Sequence, residues 1–179
     1  MSTQAPAQTR MSPQAAAITV ASVLVVAVSL TWTFLSMRAV MNVGGACADG
    51  GPYVSAQPCP DGSILIAFAV PALIIFSMIG TVSASTVGAP NLLVPMWGVL
   101  FGTLGWNFLE YSFKGPDIVW GWLVCGVMFW AMALPAFVFM VSQLRATRRA
   151  PAVMWLPAYG LLGAVGLLFG WWTFTAIAG

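Results

Sequence analysis

From Gly62 to Leu109 the chain runs 48 residues without one charged side chain, and this constrains the fold more than any other feature. At 1.5 Å per helical residue it makes about 72 Å of helix. One bilayer crossing needs only about 20 apolar residues. The stretch therefore holds two crossings, with a turn at Thr86-Val87-Gly88-Ala89-Pro90-Asn91, where glycine and proline break the helix. Charge-free windows of 27 residues between Arg10 and Arg38, 27 between Asp117 and Arg145, and 30 after Arg149 hold one crossing each.

The sequence thus predicts an all-α integral membrane protein of five transmembrane helices. The expected spans are residues 15–37, 63–85, 92–111, 118–143 and 152–177. Residues 1–14 form a flexible tail, 15–179 one transmembrane domain, and 38–62 an external loop. The windows are apolar on consecutive residues, without the alternation of a barrel strand. A soluble monomer is excluded, because 6% charged residues cannot cover the surface of a chain this size. A net charge of +2 gives no nucleic-acid footprint. The absence of histidine removes imidazole ligation and His-based proton transfer. No metal, cofactor or catalytic residue is expected. The first apolar run is longer than the core of a signal peptide, so cleavage is not expected.

Arg145, Arg148 and Arg149 crowd one short connection, which the positive-inside rule places in the cytoplasm with Arg10. The N-terminus is then cytoplasmic and the C-terminus external. Arg38, Lys114 and the loop that carries Cys47 and Cys59 face the oxidising side, where disulfides form.

That loop reads GGACADGGPYVSAQPCPDG, Gly44 to Gly62. Its glycines allow positive φ and its prolines forbid helix, so a compact loop closed by a Cys47–Cys59 disulfide is expected. Asp61 or Ser63 is expected to cap the second helix. The bridge pins the mouth of the bundle, or the loop docks an external partner with Tyr53 as its aromatic anchor. The segment resembles a GG-x-C-x-x-GGPY-x(5)-CP-x-G loop of uncharacterised small multi-pass membrane proteins of high-GC Gram-positive bacteria. The matching positions are Gly44, Gly45, Cys47, Gly50, Gly51, Pro52, Tyr53, Cys59, Pro60 and Gly62. The resemblance implies a bacterial plasma membrane and no particular activity.

Within the spans, Ser22, Ser29 and Ser36 recur every seven residues. Gly98 and Gly102 form GxxxG, and Gly163, Gly166 and Gly170 mark one face of the fifth helix. Small residues so spaced let helices approach closely. Pro71 and Pro135 are expected to kink their helices. Most of the nine tryptophans form interfacial belts. Cys125 is expected to be a buried free thiol. Glu110, three residues after Asn107 and four before Lys114, is expected to pair with Lys114 at the outer end of the third helix. The other reading of Asn107, Glu110 and Lys114 is a proton or cation site.

The functional expectation is a non-catalytic accessory or assembly subunit of a larger membrane complex. Its environment is the lipid bilayer, and its partner is another membrane protein or a second copy. The alternative is a small transporter or channel component with an outer polar vestibule near Glu110 and Asn107.

Overall fold

The structure is a computed structural model that describes residues 12–47, 58–146 and 152–178. Most of the expected tail, the loop segment with Gly50, Gly51, Pro52 and Tyr53, and Arg148 and Arg149 lie outside the described residues. Five helices follow in order: α1 Pro13–Asn42, α2 Leu65–Val87, α3 Leu93–Ser112, α4 Trp120–Ala146 and α5 Ala152–Ala178. Four of them, α1, α2, α4 and α5, are long and apolar enough to cross a membrane. α3 has 20 residues and carries Asn107 and Glu110 near its end.

The helix ends follow from local chemistry. Ser12 caps α1 by accepting from the Ala15 N–H at 3.4 Å, and Pro13 fills the first helical position, where no N–H is needed. α2 ends on Gly88 in the left-handed region (φ 68°), from which its N–H reaches the Ala84 carbonyl. Asn91 accepts from the N–H groups of Leu93 at 2.7 Å and Val94 at 3.4 Å, and so covers the start of α3. The expected cap from Asp61 or Ser63 is not present. α2 instead enters through successive tight turns, Ser63 N–H to Pro60 O, Leu65 to Gly62 and Ile66 to Ser63. Backbone carbonyls satisfy the orphan donors there, which leaves a side-chain cap nothing to do. α2 and α4 run unbroken through Pro71 and Pro135.

The contacts set helix direction. α1 and α2 are antiparallel, with Thr19 bonded to Ser83 near one end (3.0 Å) and Ser36 donating to the Gly62 carbonyl at the other (3.0 Å). α3 and α4 are antiparallel, with Gly98 beside Ala136 and Gly126 beside Leu109. α1 and α5 are parallel, with Gly166 against Ala27 and Gly170 against Thr31. α1 is thus the hub, touching α2, α3 and α5. Its face holds Ser22, Ser29 and Ser36, all buried. The core is built from Val23, Val26, Leu73, Leu92 and Met96.

The glycines do not all serve packing. A methyl group built on Gly166 would stand 2.5 Å from the Ala27 Cβ, and one on Gly170 2.9 Å from the Thr31 Cβ. Built on Gly98 or Gly102, it would meet Ala136 and Phe137 of α4 at 3.3 to 3.4 Å. Gly163 is a correction to the expected face, since nothing lies within 4 Å of such a group. Leu162 and Tyr159 of α5 pack on the core beside it, while Gly163 itself faces open space. Cys125 is also corrected: it is exposed on α4, because that helix turns its packed face, with Gly126 and Ala133, toward α3.

Candidate functional site

Arg38, Asn42, Asn107, Glu110, Tyr111 and Lys114 converge at the end of α1 beside the end of α3. α1 continues past the expected boundary to Asn42, so Arg38 sits on helix rather than in the loop. One helical turn on α3 sets Asn107, Glu110 and Tyr111 on a common face toward it. Arg38 grips Glu110 with both arms: Nη1 donates to Oε2 at 2.6 Å and Nη2 to Oε1 at 2.8 Å. Nη1 also donates to the Asn107 side-chain oxygen at 3.2 Å. The Asn107 amide in turn donates to the Phe34 carbonyl, 3.4 Å away on α1. The guanidinium lies 5.6 Å from the Phe34 ring centroid and 5.5 Å from that of Tyr111.

This arrangement corrects the expected Glu110–Lys114 pair. Lys114 turns away, placing its ammonium 4.3 Å from the Tyr111 ring centroid and donating to the Asn42 side chain at 3.2 Å. The Tyr111 hydroxyl donates to the same Asn42 oxygen. The physical reason is geometry at the acid. Arg38 offers a planar fork that engages both carboxylate oxygens at once, which an ammonium cannot do. With Arg38 seated, Lys114 finds a π face and an amide instead.

Asn107 is fully buried, whereas the Arg38 and Glu110 side chains keep 29% and 35% of their exposure. The cluster is therefore a helix-end clamp with one buried wall. Both Glu110 oxygens are engaged by the same guanidinium, and the Asn107 oxygen is engaged as well. The Glu110 charge is thus compensated by Arg38.

Beside the clamp, the two ends of the loop are fastened to different helices. Gly45 has φ 84°, which L side chains rarely adopt, and a methyl group there would stand 3.1 Å from the Trp122 ring of α4. Trp122 packs edge-on against Tyr111, centroids 6.3 Å apart. Gly62 lies against Phe174 and Ala178 at the end of α5. Between these anchors Cys47 and Cys59 are at disulfide distance, Cα to Cα 4.8 Å.

Arg38 is the residue that sequence reasoning missed. A usable signal existed: Arg38, Asn107 and Glu110 all stand at the ends of helices that run in the same direction. Comparison with known proteins returned no match: no family model fits the chain, and neither a curated protein nor a solved structure matches it.

Proposed function

We propose that the chain is a non-catalytic accessory or assembly subunit of a larger complex in a bacterial plasma membrane. In this reading it crosses the bilayer five times, with a cytoplasmic N-terminus, an external C-terminus and the Cys47–Cys59 loop outside. The antiparallel packing of α3 along α4 from Gly98 to Leu109 supports counting α3 among the crossings. The arginine fork at Glu110 also removes that carboxylate's charge from the lipid side.

The observation that carries the subunit reading is the open arrangement of the helices. α4 is packed through α3 and α5 through α1, and both leave broad apolar faces. Val124, Val127, Leu134 and Val138 of α4 are each more than half exposed, as are Leu161 and Leu168 of α5. Such faces suit lateral association with another membrane protein or a second copy, and lipid fills what the partner leaves. The closed clamp supports the same reading over a transport path, since its acid is already paired.

Purification in mild detergent, followed by mass spectrometry of co-eluting chains, tests it. A stoichiometric membrane protein or a defined homo-oligomer is expected. A lone monomer, together with an ion flux lost in Glu110→Gln, would overturn this reading in favour of a small transporter or channel component.

A further inference from the structure

The three acidic side chains among the described residues belong to one end of the bundle. Asp61 precedes α2, Glu110 is at the end of α3, Asp117 precedes α4, and Asp49 stands between the two loop cysteines in sequence. Among the described residues the opposite end carries Arg145 and no acid. Arg145 occupies the last turn of α4, Arg148 and Arg149 follow it in sequence, and Arg10 precedes α1. Arg145 is exposed and takes part in no ion pair among the described residues.

Arg145 also lines a crevice of about 690 Å³, together with Phe137, Val138, Val141 and Ser142 of the same helix. The register that seats Gly98 on Ala136 and Gly105 on Trp130 runs out of α3 before Arg145 is reached. The last turn of α4 thus extends past the start of α3, with Arg145 next to the apolar residues Phe137, Val138 and Val141 in the same lining and without an ion pair among the described residues. Ser142 adds no donor, because its hydroxyl is spent on the Phe139 carbonyl at 2.7 Å.

We propose that this crevice is a binding site for one anionic phospholipid, its phosphate on the Arg145 guanidinium and an acyl chain along Phe137, Val138 and Val141. A guanidinium suits a phosphate because its donors match two oxygens at once. The described residues supply no carboxylate at this end, so the counter-anion comes from the lipid. The proposal rests on the bilayer placement given above.

The test reconstitutes the full chain in nanodiscs of phosphatidylcholine with phosphatidylglycerol, extracts it gently and counts retained lipids by native mass spectrometry. One phosphatidylglycerol per chain is expected. Arg145→Gln should lower its occupancy roughly fivefold, the effect of one cation at a bilayer surface, and Arg149→Gln less than half as much. Val138→Trp keeps every charge and fills the crevice, and it should give a comparable loss. Equal losses from Arg145→Gln and Arg149→Gln would overturn the site in favour of diffuse attraction. Equal retention of phosphatidylcholine, or full displacement by inorganic phosphate, would also overturn it. A chain that fails to enter the nanodisc refutes the bilayer placement itself, an outcome distinct from an inserted chain that retains no anionic lipid.

Discussion

Replacing Glu110 by Gln tests the clamp between α1 and α3. The substitution keeps the shape and one acceptor but removes the charge, and it breaks the two-armed contact at 2.6 and 2.8 Å. Exposed ion pairs contribute about 0–1 kcal/mol, and breaking a buried pair costs about 3–5 kcal/mol. Side chains that keep 29% and 35% of their exposure fall between these limits, nearer the first because solvent screens them. The buried Asn107 oxygen, 3.2 Å from the guanidinium, adds to the coupling. A double-mutant cycle of Arg38→Gln and Glu110→Gln is therefore expected to show a coupling of about 1–2 kcal/mol in reversible unfolding, by analogy with contacting charged pairs. The parallel cycle of Glu110→Gln with Lys114→Gln should give less than about 0.5 kcal/mol, the size of an exposed helical i,i+4 pair. A larger coupling to Lys114 than to Arg38 would refute the reasoning, because it would put the acid back on its local neighbour.

Further outcomes follow from the packing. Gly166→Leu drives a side chain into Ala27 and the Leu24 carbonyl of α1, and is expected to cost at least about 1–3 kcal/mol, as overpacking does. Gly163→Ala meets nothing within 4 Å and should be neutral or stabilising by up to about 1 kcal/mol, the helix-propensity difference; both variants are read by thermal unfolding in detergent. Non-reducing peptide mapping should recover Cys47 linked to Cys59. A lipid-permeant maleimide should label the exposed Cys125 of the folded chain without prior reduction; failure of that labelling would restore the buried thiol. Trp32→Phe removes an indole N–H that donates to Thr173 at 3.0 Å and the Gly170 carbonyl at 3.2 Å, and should weaken the α1–α5 contact by about 1 kcal/mol.

The helices were legible because apolar windows and the breaks between them are written locally. Gly88 and Asn91, at the ends of α2 and α3, act within a few residues of their place in the chain. The limits of local reading show at Arg38. Counting it as the first residue of the loop hid the further turn of α1 that aims it at α3. Its partner Glu110 is 72 positions away, whereas Lys114 was the neighbour in sequence. The same logic separates Gly166 from Gly163: spacing puts both on one helical face, but only the crossing point of α1 decides which is covered. Burial of Cys125 would follow only if a span were an interior. In a bundle this open, much of a span faces outward, as Val124 and Val127 beside it do.

The central claim is that α3 crosses the bilayer with the four helices whose length and composition already suit a crossing. Reporter fusions after Gln8, within residues 145–149 and at Gly179 measure this directly in the membrane. The expected readings are inside, inside and outside, with the two termini on opposite faces. Termini on the same face would contradict it, because an even number of crossings leaves α3 out of the membrane and the clamp without its interfacial setting.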